Sequence, residues 1–101
     1  MKTTIQEQEN KFLVTLEGEL DTSAAVEVDQ ILQPLYKGNG KDVFIDCEKL
    51  EYISSSGLRI LSRIIKGVRA TGSVVTLLNV NVDIKNVLRL TGLISLFKFE
   101  P

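Results

Sequence analysis

The apolar residues of this chain change period repeatedly, and a chain that alternates between strand spacing and helix spacing has few folds open to it. Phe12, Val14 and Leu16 alternate with Leu13, Thr15 and Glu17, the two-residue repeat of a strand. The polar stretch before them predicts a turn from a short first strand at Thr3 to Gln8, making an N-terminal hairpin. After Gly18 the spacing lengthens: Ala24, Ala25, Val28, Ile31, Leu32 and Leu35 share one helical face. Asp21, Thr22 and Ser23 stand ready to cap a helix from about Ser23 to Tyr36. Pro34 is expected to distort its last turn, and Gly38, Asn39 and Gly40 to end it.

DVFID at 42–46 is short and rich in strand formers, and predicts a central strand buried on both faces. Helical spacing returns from Leu58 through Leu61, Ile64, Ile65 and Val68, with Lys66 and Arg69 near the negative end of the dipole and Gly72 as the stop. SVVTLL at 73–78 predicts another buried strand, and a third helix runs from about Asp83 to Leu90, closed by Thr91 and Gly92. LFKF at 96–99 is a candidate for a last edge strand. The expected class is α/β, in the order strand, strand, helix, strand, helix, strand, helix. One mixed sheet, parallel in its centre and covered by helices, follows, with two right-handed crossovers.

With 101 residues, one domain over 1–101 is expected. Folding at this length buries about two thirds of the unfolded surface, enough for one core without staples. Composition sets limits on function. Twelve basic against thirteen acidic residues give a net charge of -1, too balanced to draw the chain to nucleic acid or an anionic membrane. A protein partner or small ligand fits better. No run reaches the roughly 18 apolar residues of a membrane span, and MKTTIQEQENK lacks the apolar core of a signal peptide, so a cytoplasmic location is expected. Cys47 has no second cysteine to pair with and follows an apolar strand, which predicts a buried structural thiol.

Histidine is absent, which closes the Ser-His and Cys-His routes to nucleophilic catalysis and removes the usual zinc ligands. There is no GxxxxGKS loop and no GxGxxG loop for a nucleotide. No cofactor and no metal are expected, and no enzymatic activity. An acid–base pair such as Asp21 with Asp46 is the remaining catalytic alternative, against which stand the simpler roles of helix capping and loop anchoring.

Ser54, Ser55 and Ser56 lie between a strand and the first turn of a helix, where unpaired N–H groups and the helix dipole favour oxygen ligands and anions. Taken alone, the triplet reads as a cap with filler residues. A phosphorylated serine here would gain close to two negative charges with Arg59 within a turn, altering whatever docks over the loop.

Three segments resemble the STAS domains, and among them the anti-sigma factor antagonists: GELDTSAA at 18–25, DCEKLEYISSSGLRIL at 46–61 and LTGLISLF at 90–97. They occur in the family's order and spacing over nearly the whole chain. In that family the phosphorylated serine follows an aspartate and precedes Ser or Thr and then Gly. The resemblance therefore implies Ser55 as the phospho-acceptor, with Ser54 and Ser56 as fallbacks. Ser54 departs from the pattern, standing where the family commonly has the aspartate.

What the resemblance implies is partner switching. The unphosphorylated chain would bind an anti-sigma factor that is also a serine kinase and so release a sigma factor; phosphorylation of Ser55 would block binding, and a serine phosphatase would reset the cycle. Asp21, Thr22, Ser54, Ser56, Gly57 and Arg59 are the implied partner contacts, and Leu58 is expected in the core. The alternative is a STAS interaction module that is never phosphorylated, serving a signalling scaffold or a membrane transport complex.

Overall fold

The computed structural model describes residues 1–101. Strand β1 (Lys2–Glu7) pairs antiparallel with β2 (Lys11–Leu20), as the hairpin pattern predicts. Helix α1 (Thr22–Ile31) follows, then a 3-10 turn over Gln33–Lys37, β3 (Asp42–Asp46), β4 (Leu50–Ile53) and α2 (Ser55–Ala70). The chain continues through β5 (Val75–Leu78), α3 (Val82–Leu90), a 3-10 turn over Ile94–Leu96 and β6 (Lys98–Glu100). One path of hydrogen-bonded strands runs β1-β2-β3-β5-β6, parallel from β2 onward, with β4 paired to the far end of β2. The expected mixed, centrally parallel α/β sheet is the architecture found.

Four expectations need correction. The first helix stops at Ile31 rather than Tyr36, because Pro34 has no N–H and its ring would collide with the Gln30 carbonyl. The chain tightens there into a 3-10 turn, with the Leu35 N–H donating to the Leu32 carbonyl at 3.0 Å. The second helix begins at Ser55, three residues before Leu58, because the serines form its first turn instead of a loop. Strand β4 has no counterpart in the sequence pattern. Its burial runs buried, exposed, exposed, buried, which is neither strand nor helix periodicity, and it pairs only with the tail of β2 past a register shift at Gly18 and Glu19.

The fourth correction concerns β3, which is buried on one face only. Val43 and Ile45 are sealed, whereas Phe44 and Asp46 are partly open. The cause is topological. Because β6 adds parallel to β5, there are three crossovers, β2-α1-β3, β3-α2-β5 and β5-α3-β6, and all step along the sheet in one direction. Right-handed crossovers with that progression bring every helix to the same face. A single cluster of 23 buried residues lies between the helices and that face, with Val14, Leu16, Ile45, Ile64, Leu77 and Leu88 among its most enclosed members.

Two positions test this packing. A Cβ on Gly67 of α2 would overlap the carbonyl of Tyr36 in the 3-10 turn, and backbone cannot withdraw as a side chain can. Gly67→Ala is therefore expected to cost about 2 kcal/mol or more, read as a lower midpoint in urea unfolding with unchanged slope. Cys47 is 3 % exposed, and its thiol is pushed up to about 12 by burial first and by the negative charge of Asp46 second. At neutral pH a thiol reagent is expected to label it only as denaturant opens the core; rapid labelling of the native protein would contradict this burial.

Candidate functional site at the start of helix α2

The ends of β2 and β4 lie side by side, Leu20 against Ile53, and the chain enters α2 from there. Ser54 is 7 % exposed and takes the N-cap position in extended conformation. Its Oγ accepts the Gly57 N–H at 3.2 Å, and its own N–H donates to the Leu20 carbonyl at 2.9 Å. This hydrogen bonding is what a serine cap supplies: an acceptor for one of the first N–H groups that lack a helical partner. Gly57 sits behind it. A Cβ there would come within 2.7 Å of Ile53 Cγ1 and 2.8 Å of Leu20 Cγ, so only glycine lets the first turn close onto the strands.

Ser55 is the first helical residue and is exposed. Ser56 is half-buried, and Arg59, one turn after Ser55, is exposed. No acidic residue stands in the first turn of α2, and Arg59 takes part in none of the three ion pairs of the chain. The positive end of the helix is thus accompanied by a free guanidinium.

Ser56 and Arg59 line a groove of about 200 Å³ between α1 and α2, with Thr22, Val26 and Ile60. Its floor is fixed by Asp29, whose Oδ1 accepts from the Tyr36 hydroxyl at 2.8 Å and from Arg63 Nη1 at 2.9 Å. Burial, then the hydrogen bond to the Asp29 carboxylate, holds the Tyr36 phenol above its ordinary pKa, so it stays a neutral donor. The two helices are thereby tied together by a side-chain network as well as by apolar contact.

Of the residues expected at the site, Thr22, Ser56 and Arg59 share this groove. Asp21 does not. It caps α1, its Oδ1 accepting the Ala24 N–H at 2.8 Å, and it lines a separate cleft of about 700 Å³ with Lys2, Glu19, Glu27 and Glu51. Ser54 and Gly57 are buried, and their burial makes them supports for the exposed turn. Leu58 packs on the core as expected. Asp46 anchors a loop, Oδ1 accepting from the Glu48 N–H at 3.0 Å and from Asn79 Nδ2 at 3.3 Å. It borders a different depression from Asp21, so the two carboxylates do not form an acid–base pair.

Sequence reasoning missed Val26, which lines the groove and is 65 % exposed. Val26 carried a signal, an apolar residue off the core stripe of its own helix.

The model of the STAS domain family matches residues 2–101. The chain is 26% identical over 86 residues to the anti-sigma-B factor antagonist of Staphylococcus aureus (strain NCTC 8325), covering 85% of this chain and 80% of that one. Its fold superposes on the anti-sigma factor antagonist SpoIIAA in unphosphorylated form with a TM-score of 0.81 at 20% identity, covering 99% of this chain and 89% of that one. The phosphorylated form of SpoIIAA gives 0.76 at 19% identity, covering 99% and 92%. An anti-sigma factor antagonist from Mycobacterium paratuberculosis gives 0.79 at 24% identity, covering 99% and 85%. With its fold and nearly its whole length matched, the chain belongs to the STAS domain family and has curated relatives that are anti-sigma factor antagonists.

Proposed function

We propose that this protein is an anti-sigma factor antagonist working by partner switching in the cytoplasm. The observation that carries the reading is the contrast within the serine triplet: Ser54 is buried and occupied as a cap, whereas Ser55 projects from the first turn of α2. In its unmodified state the protein binds an anti-sigma factor that is also a serine kinase, and the sigma factor is released. The binding surface is the turn at Ser55 with Thr22, Ser56, Arg59 and the apolar Val26 around it. Asp21 contributes from the neighbouring cleft.

The kinase then moves the γ-phosphoryl group of its own ATP to Ser55. The Ser55 Oγ forms the new bond to phosphorus, the bond from phosphorus to ADP breaks, and the hydroxyl proton passes to the kinase. A serine phosphatase returns the protein to its binding form. The added group carries nearly two negative charges. Forced against a surface fitted to a neutral hydroxyl, it costs on the order of several kcal/mol of desolvation and repulsion, and each ~1.4 kcal/mol is tenfold in affinity.

Mixing the protein with its cognate kinase and ATP, followed by intact mass measurement, tests this directly. One phosphate is expected on the native sequence and on Ser56→Ala, and none on Ser55→Ala. No mass gain on the native chain would remove the switch, leaving the unmodified interaction module. Gain on Ser55→Ala would move the site.

A stability comparison separates the cap from the acceptor. Ser54→Ala is expected to lose about 1 kcal/mol in denaturant unfolding. Ser55→Glu is expected to be neutral or stabilising by up to about 0.5 kcal/mol, because it adds the missing acid to the first turn. In a pull-down with the kinase, Ser55→Glu should fail to bind although folded. Binding at native strength would contradict the mechanism of release.

A further inference from the structure

Five asparagines occur in the chain, and the residue after each one decides how it ages. Asn79, Asn81 and Asn86 precede valines and Asn10 precedes a lysine, whereas Asn39 precedes Gly40. Asparagine is a thermolabile residue, because its side-chain amide is open to attack by the backbone nitrogen of the next residue, which closes a five-membered imide ring. A side chain on that next residue hinders the attack, and glycine has none. Asn39 and Gly40 are both exposed and lie outside every helix and strand. Open space surrounds the direction in which a Cβ on Gly40 would project.

The fold holds both reacting groups. Asn39 Nδ2 donates to the Pro34 carbonyl at 3.1 Å, and the Gly40 N–H donates to Thr71 Oγ1 at 3.3 Å. The first bond restrains the amide that has to leave; the second occupies the proton that the nucleophile has to lose. Thr71 is itself anchored on the end of α2, its Oγ1 donating to the Val68 carbonyl at 3.0 Å. The ring closes only when the loop swings off α2, which is a local opening and not global unfolding.

We propose that Asn39 is a site of spontaneous deamidation, with water as the only co-reactant, and that Thr71 sets its pace. A base removes the proton of the Gly40 nitrogen, and that nitrogen bonds to Asn39 Cγ. The bond from Cγ to Nδ2 breaks, and the side-chain nitrogen takes a proton from water and leaves as ammonia. Water then adds to one carbonyl of the imide. Opening at Cγ leaves aspartate, and opening at the main-chain carbonyl leaves isoaspartate, whose backbone is one methylene longer. That extra length falls where the turn presses on α2, since a Cβ on Gly38 would already overlap the Gly67 carbonyl. None of these residues lines the groove that holds Ser56 and Arg59. Deamidation therefore acts on the stability of the chain and is independent of the proposed switch.

Ageing the full chain at mildly alkaline pH in heavy-oxygen water, with peptide mapping over time, tests this. One new acid is expected, at position 39, as a mixture of aspartate and isoaspartate carrying one solvent oxygen; Asn39→Gln should gain none. The folded chain is expected to react more slowly than the chain denatured in guanidinium chloride, by about four- to a hundredfold for two hydrogen bonds of ordinary strength. Thr71→Val keeps the side-chain shape and is expected to react about two- to tenfold faster than the native chain, with a thermal melt to show that it is folded. The aged chain should also unfold at a lower urea midpoint than Asn39→Asp, which carries the same charge without the extra methylene. Acid formed first at another asparagine would overturn the proposal, as would none at position 39 over about a hundred denatured half-times. A folded chain as fast as the denatured one, or a folded Thr71→Val no faster than native, would remove Thr71 from control of the rate. Equal urea midpoints would remove the effect on packing.

Discussion

The geometry of the site depends on one buried hydroxyl. Ser54 holds three connections at once: its N–H to the Leu20 carbonyl, its carbonyl to the Leu58 N–H, and its Oγ to the Gly57 N–H. The first ties α2 to the end of β2, and the other two close the first turn of the helix. Gly57 then packs against Leu20 and Ile53 without a side chain between. With position 54 turned inward and position 57 pressed on the strands, position 55 has to face out. The exposure of Ser55 is thus a consequence of how its neighbours are buried. Strand β4 adds little to the sheet, yet it fixes the height at which α2 begins by carrying Ile53 alongside Leu20.

Legibility in the sequence followed periodicity. The hairpin, β3, β5 and all three helices were readable because each places several apolar residues at a regular spacing, and that spacing is what burial on one face requires. Asp21 as a cap was readable from residue type and position, and the structure has it accepting the Ala24 N–H. What escaped was set by contacts between distant segments. Leu50 and Ile53 are buried where β4 pairs with the end of β2 across a register shift at Gly18 and Glu19, and nothing local announces that. The open face of β3 follows from the direction of three crossovers, the last of which depends on where β6 docks. For the site, residue types gave the serine loop and Arg59, but which serine is covered depends on tertiary packing.

Ser54 also bears on the electrostatics of the turn. In the family pattern the residue before the phospho-acceptor is commonly an aspartate, and either side chain offers an oxygen to the Gly57 N–H. Capping therefore survives the change. Charge does not: an aspartate would place a carboxylate beside Ser55 and partly offset the helix dipole, whereas serine leaves the first turn without any acid. A phosphate on Ser55 would then meet N–H groups, a neutral oxygen and the unpaired Arg59, with no carboxylate next to it. Anions at such a terminus gain about 0.3–1 kcal/mol.

That sign decides where a switch of this kind has to act. A modification that stabilises the helix it sits on cannot work by melting the helix, so in the proposed switch the fold would stay as it is and only the surface would change. The intramolecular gain of at most about 1 kcal/mol is also smaller than the several kcal/mol lost when a charge is buried against a surface shaped for a hydroxyl. Arg59 strengthens the argument, since a guanidinium drawn toward a phosphate one turn away is no longer free to meet a partner carboxylate. A phosphate would thus remove an attractive group and add a repulsive one at the same place, and both changes fall on the complex rather than on the free protein.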